Sequence, residues 1–155
     1  MFVFSDQKLV NILRQQHEKD ITVKALIDSG FAYRYYSEAL DMLGIALARN
    51  CKIEKNNAPW SSPISTVGTS DLGKKDKLHH KFAVIDENMV VTGSHNWSAS
   101  ANYQNDETVL AIENPTVAAH YQREFERLYD RAVLGIPQWL DERIKSQKQE
   151  CSNLN

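Results

Sequence analysis

The residues best suited to chemistry lie in one stretch, Leu78-His79-His80-Lys81-Phe82-Ala83-Val84-Ile85-Asp86, followed by Gly93-Ser94-His95-Asn96. Residues 78–85 read as a strand, in which side chains alternate between faces. His79 and Lys81 therefore share one face, and His80 points to the other. An imidazole beside an ammonium suits an anionic substrate: the lysine attracts and holds a phosphate, and a neutral histidine serves as nucleophile or proton carrier. Gly93 permits close backbone approach at the end of the next strand, and the Ser94 hydroxyl and Asn96 amide can donate to phosphate oxygens. These are the groups needed to stabilise a pentavalent phosphoryl state without a metal. A lone His-x-Lys is more often a solvated strand edge. The whole string has a chance expectation of roughly one in 10⁵ at this chain's residue frequencies, so accident does not compete.

Several elements must position these groups. Residues 2–4 form a short strand-like run, Ser5-Asp6 supplies a helix N-cap, and Leu9, Val10, Ile12 and Leu13 mark one face of a helix ending near Glu18. Residues 21–27 read as a second strand buried on both faces, completing the grammar of a parallel βαβ unit. A helix is predicted over 37–49 and a short strand over 51–54. Residues 55–77, broken by Pro59 and Pro63, read as one long loop. Strands 78–85 and 89–92 are joined by the polar turn Asp86-Glu87-Asn88, and another strand covers 108–112. Asn114-Pro115 opens a helix carrying Val117, Ala118, Tyr121, Phe125 and Leu128 at helical spacing. A last helix runs from Pro137 to about Gln149, and the tail is polar.

Composition bounds the function. The chain has 155 residues, 42% hydrophobic and 25% charged, which allows one domain and excludes disorder as a whole-chain reading. Lys and Arg total 18 against 20 Asp and Glu, so contact with a polyanion must come from a local patch. Lys74, Lys75, Lys77, His79, His80 and Lys81 form such a cluster, able to draw phosphates toward the site. No apolar stretch approaches the ~20 residues of a membrane span, and residues 1–4 are too short for a signal-peptide core; the expectation is a cytoplasmic protein. Cys51 and Cys151 show no metal-type spacing and are read as free thiols. His80 and His95 have no carboxylate or cysteine spacing to complete a metal site, so no metal is expected. Trp97 is expected to pack, and Trp60 reads as packed or as lining a substrate groove or stacking on a base. Tyr33, Tyr35 and Tyr36 around Arg34 read either as the packed start of a helix or as a loop touching substrate.

With His79, Lys81 and Asp86 in HxK(x)4D spacing, then Gly93-Ser94 and Asn96, the sequence resembles the phospholipase D superfamily. The likeness extends to Asn105-Asp106-Glu107 before a strand and to the amphipathic helix after it. Residues 2–28 are similar to the strand, helix and strand that precede the motif in the small bacterial single-motif nucleases. The resemblance covers about residues 2–130.

The resemblance implies an α/β fold, a mixed sheet flanked by helices over residues 1–135 with the loop at 55–77, followed by a C-terminal helix and polar tail at 136–155. It also implies cofactor-free, metal-independent phosphodiester chemistry. In that family the motif histidine attacks phosphorus to form a phosphohistidine, and the histidine of a second motif protonates the leaving oxygen. Carried over, His79 is nucleophile or general acid, and Lys81 and Asn96 grip phosphate oxygens with Ser94 in support. Asp86 has an orienting role or is a turn residue, and both can hold. Glu107 matches the carboxylate that hydrogen-bonds a motif histidine. One motif supplies half of the machinery, so a homodimer or a second motif-bearing half is expected. Family domains open with a further strand and helix, so the chain reads either as a truncated product or C-terminal half, or as a complete minimal domain. The substrate is a phospholipid or a nucleic acid. The alternative function is a non-catalytic half-domain that binds phosphate or nucleic acid.

Overall fold

The computed structural model describes residues 1–73 and 75–152. Its elements in chain order are β1 (Phe4–Ser5), α1 (Gln7–His17), β2 (Ala25–Leu26), α2 (Glu38–Met42), β3 (Val67–Ser70), β4 (Phe82–Ile85), β5 (Met89–Gly93), β6 (Trp97–Ser98), α3 (Ala99–Tyr103), β7 (Val109–Glu113), α4 (Pro115–Tyr129), β8 (Ala132–Leu134) and α5 (Gln138–Ser152). Strand β1 pairs in parallel with β6, β2 with β3 in parallel, and β3 with β8 antiparallel, while β4-β5-β7 is an antiparallel meander. Helices flank these sheets, so the α/β class stands.

The local chemistry explains the elements that position the site. The Asp6 carboxylate accepts from the N–H groups of Lys8 and Leu9 and starts α1, and Asn114 does the same for Thr116 and Val117 at α4, with Pro115 in the first turn. Phe4, Val10, Ile27, Leu40, Met42, Trp60 and Val67 share one core, which Leu140 of α5 also enters with no exposed surface. The last helix is thereby packed into the body that carries the motif.

Five expectations are corrected. The strand expected over 21–27 is only Ala25–Leu26, Ile21 is 48% exposed rather than buried, and β1 and β2 lie in different sheets, so they do not form the expected βαβ pair. The helix predicted over 37–49 ends at Met42, because Gly44 takes φ 71° and closes a Schellman cap: Ile45 N–H donates to Leu40 O at 2.8 Å and Gly44 N–H to Asp41 O at 3.0 Å. The strand expected at 51–54 is only a single bridge between Arg49 and Lys52. The segment 55–77 is not one loop, since it contains β3, the middle strand of β2-β3-β8. Its polar, small-residue sequence hides this strand, and Gly68 is there because a Cβ would stand 2.0 Å from the Val133 carbonyl oxygen. Finally, Cys51 and Cys151 are not free thiols but form a disulfide, their Cα atoms 5.4 Å apart.

Candidate active site

Residues 78–81 carry no ladder, yet the expected alternation is present in the side chains. Lys81 Nζ lies 3.3 Å from Nδ1 and 3.3 Å from Nε2 of His79, and donates to the His79 carbonyl at 3.1 Å. His80 turns the other way, its Nε2 3.1 Å from Glu124 Oε1 on α4. The Phe2 ring closes the base of the pair, its centroid 4.6 Å from the His79 ring and 5.1 Å from the Lys81 ammonium. His79 is exposed, whereas Lys81 is only 8% exposed. Burial pushes the Lys81 ammonium below its ordinary value, and Glu107 opposes that shift. A lysine so poorly hydrated has its charge available to an incoming phosphate.

The loop after β5 faces this pair. Gly93 has φ 148°, and a Cβ there would come 1.9 Å from the Thr108 carbonyl, so the turn into Ser94 requires glycine. Ser94 exchanges backbone and side-chain hydrogen bonds with Thr108, N–H to carbonyl and Thr108 N–H to the Ser94 hydroxyl, both at 3.0 Å. The Ser94 hydroxyl proton is given to Glu107, and Asn105 donates to the other carboxylate oxygen at 3.1 Å. These two bonds, chiefly that from Ser94, hold the Glu107 carboxyl below the usual carboxylate range, aided by the charges of His95 and Lys81. Glu107 therefore engages Ser94 and Asn105, and among the described contacts it makes no hydrogen bond to His79. Asn96 Oδ1 accepts from Val3 N–H at 3.2 Å, which leaves its amide nitrogen as the free donor.

Asp86 is not brought to the histidine. It sits at the far end of β4 in a turn where Asp86 and Glu87 have φ 51° and 54° and Asn88 N–H donates to Ile85 O at 3.1 Å. Two consecutive positive φ values define a type I′ hairpin turn, matched to strand twist, so the role on display for Asp86 is the turn. A cavity of about 460 Å³ lies on the His80 face of β4, lined by Leu26, His80, Phe82 and Phe125, and does not include His79. Within the basic cluster, Lys75 and Lys77 are exposed, and Lys74 lies outside the described residues. Among the described residues no group of three His, Cys, Asp or Glu could hold a metal ion.

Three positioning contacts escaped the sequence reading. Asp28, 1% exposed, accepts from the N–H of Leu78 at 2.9 Å and of Gly30 at 3.0 Å, fixing the backbone next to His79. Val3 fixes Asn96, and Trp97 N–H returns a bond to Val3 O at 3.1 Å. Phe2 supports both motif side chains. The sequence signal for Asp28 was its place at the end of the ITVKALID run, where a buried acid needs a nearby donor.

The family described as "Cardiolipin synthase, PLD-like domain" matches residues 1–129. The chain belongs to the phospholipase D superfamily. It is 28% identical over 134 residues to the mitochondrial cardiolipin hydrolase of Xenopus laevis, covering 84% of this chain and 52% of that protein. It is also 28% identical over 131 residues to the human protein of the same name, covering 84% and 44%. The chain thus spans about half the length of the curated relatives it matches. Two solved structures share the fold. Nuc of Salmonella typhimurium, described as a phospholipase D family member, aligns with TM-score 0.63 and 19% identity over 86% of this chain and 76% of that one. NucT of Helicobacter pylori aligns with TM-score 0.67 and 18% identity over 86% and 78%. The cytoplasmic expectation is overturned, because the relatives are named as mitochondrial proteins. That no helix among the described residues is long and apolar enough to cross a membrane does not fix a compartment.

Proposed function

We propose that this phospholipase D-like chain is a metal-independent phosphodiester hydrolase acting on a phospholipid diester. The observation that carries the reading is the Lys81 ammonium held 3.3 Å from both ring nitrogens of the exposed His79. A phosphate that reaches the lysine is then within attacking distance of the imidazole. In the proposed reaction a neutral His79 nitrogen forms a bond to phosphorus while the P–O bond to the leaving alcohol breaks. The alcohol oxygen takes its proton from a second histidine. Lys81 and the free amide of Asn96 neutralise the equatorial oxygens, and Ser94 supports them by holding Glu107 beside the lysine. Water then gives a proton back to the second histidine as its oxygen attacks phosphorus, the N–P bond breaks, and His79 is released with the phosphate monoester leaving. The second histidine comes from another copy of the chain across a two-fold axis, or from a motif-bearing partner half. The names of the relatives, cardiolipin hydrolases, support the lipid substrate, and carried over from those names the compartment is mitochondrial.

The test is incubation in EDTA with cardiolipin vesicles and, separately, with single-stranded DNA, using the native chain and His79→Asn. The expected outcome is lipid hydrolysis by the native chain and a loss of at least a thousandfold in the variant. Cleavage of DNA alone moves the substrate to nucleic acid. Equal activity of both proteins would remove His79 from the chemistry, and no cleavage of either substrate, with phosphate binding and a strictly monomeric mass, gives the chain to the non-catalytic alternative.

A further inference from the structure

Next to the motif lies a second feature that the phosphodiesterase reading leaves unused. A recess of about 600 Å³ is lined by Arg34, Arg49, Arg143, Tyr35, Tyr36 and Trp139. Its lining includes Gly30, two residues after Asp28, and the same Asp28 carboxylate accepts from the N–H groups of Gly30 and of Leu78 beside His79. The three guanidiniums are exposed. Their hydrogen bonds go to neutral oxygens: Arg34 to Gly30 O at 2.9 Å, Arg49 to the Tyr35 hydroxyl at 3.2 Å and Arg143 to Tyr33 O at 3.5 Å. Among the described residues none of the three pairs with a carboxylate. In a chain of net charge −2, three converging cations without acid partners form a local anion site.

The walls are fastened. Arg49 stands on the 48–52 turn, and Trp139 and Arg143 stand on α5. Gln147 of α5 donates to the Ala48 carbonyl at 2.7 Å and accepts from the Ala48 N–H at 2.8 Å, and the Cys51–Cys151 disulfide ties the same two segments. Trp139 and Arg143 lie on α5, beyond residue 129, so this recess is built partly from residues outside the stretch matched by the family.

What seats against it follows from its border. Trp139, 50% exposed, lines the recess, and exposed apolar side chains precede it in sequence from β8 into α5: Val133 50%, Leu134 37% and Ile136 48%. A nucleic-acid strand would engage the guanidiniums and stack on the aromatic rings, and would leave most of the aliphatic border unused. An anionic bilayer surface uses both: apolar side chains and the tryptophan enter the boundary between headgroups and acyl chains, while guanidiniums meet headgroup phosphates. We propose that the arginine recess and the exposed apolar residues beside it form a docking surface for an anionic phospholipid membrane, the guanidiniums meeting headgroup phosphates. The proposal rests on a phosphodiester substrate at His79 and adds the surface that delivers it.

The test is sedimentation of the full chain with phosphatidylcholine vesicles, with or without one-fifth cardiolipin. Binding needs no turnover, so failure of the catalytic reading and failure of this one are separate results. The native chain is expected to bind only the anionic vesicles, with binding weakened by salt. Each exposed arginine is expected to contribute roughly fivefold, so that R34Q/R49Q/R143Q loses about a hundredfold. I136S/W139S, which keeps the charges, is expected to lose about tenfold. Trp emission of the native chain should shift to the blue on adding anionic vesicles, a readout that requires no variant. Equal affinity for neutral and anionic vesicles, undiminished binding by a folded triple variant, or a single-stranded oligonucleotide captured through these arginines while vesicles are ignored would each overturn the proposal.

Discussion

The Asp28 carboxylate accepts the backbone N–H of Leu78 at 2.9 Å, joining the end of the second strand to the residue before His79 across 50 positions of sequence. Its other oxygen takes the Gly30 N–H at 3.0 Å, so one buried acid sets both the start of the motif and the turn that lines the arginine recess.

Replacing this acid should therefore be costly in two ways. Asp28→Ala leaves the buried Leu78 N–H without a partner, a loss of about 1–3 kcal/mol. Thermal unfolding should show a drop of several degrees, and the folded fraction should turn over substrate at least tenfold more slowly because His79 is no longer held. Asp28→Asn keeps an acceptor and should restore most of the stability. A variant with unchanged melting temperature and unchanged turnover would remove Asp28 from the positioning of the motif.

A buried acid away from the site contributes to the pH dependence of stability. Glu38, 5% exposed, has its carboxyl pushed up to about 8, mainly by burial and then by Asp41 and Glu54. Asp41 beside it already accepts from Gln7 at 2.7 Å, Asn57 at 2.7 Å and Ala58 N–H at 3.1 Å, which fixes the pair in place. Because the folded value lies above the unfolded one, the folded chain holds a proton that the unfolded chain releases. The stability is fully present below the ordinary glutamate range and is lost as pH rises toward 8. The buried Met1 amine, lowered to about 5 mainly by burial, acts in the opposite direction over the same range, so the Glu38 contribution is read as a difference between proteins. Relative to Glu38→Gln, the native chain should lose melting temperature between pH 5 and pH 8 by at least about 2–4 °C, the shift expected from about 1 kcal/mol in a domain of this size, and identical pH profiles for the two proteins would remove Glu38 from the pH dependence.

The disulfide makes a third prediction. Cys51 and Cys151 close a loop with a sequence separation of 100. Constraining so long a loop in the unfolded chain is worth about 2–5 kcal/mol. Cys51→Ser/Cys151→Ser, or the native chain in reductant, should melt roughly 10 °C lower, given about 2–4 °C per kcal/mol. Free-thiol titration of the unfolded, unreduced chain should find no reactive thiol, and two reactive thiols there would show that the bond does not form.

These features mark where sequence reading stops. Asn114-Pro115 announced α4 because capping is local, and the polar turn 86–88 announced the β4-β5 hairpin for the same reason. The pairing of His79 with Lys81 followed from alternation over two residues. What was not legible depends on distant partners. Residues 67–70 become a strand because β2 and β8 lie on either side, and the Gly44 cap that ends the helix at Met42 is joined by distant donors, Trp60 and Ile64 N–H bonding the Asp41 and Met42 carbonyls at 2.8 and 2.9 Å. The disulfide joins segments that only the packing of α5 brings together. Asp28 acquires its role from Leu78, and Glu107 turned out to hold Ser94 where a histidine partner was expected.

The most direct test of the central claim is to look for the covalent intermediate itself. The native chain is mixed with a phosphodiester substrate in EDTA, quenched rapidly with alkali and denaturant to preserve an N–P bond, digested, and examined by mass spectrometry. The account predicts a phosphoryl adduct on the peptide containing His79, located on that residue, formed within one turnover and absent in His79→Asn. Turnover of substrate with no adduct at His79, or an adduct that persists in the variant, would contradict it.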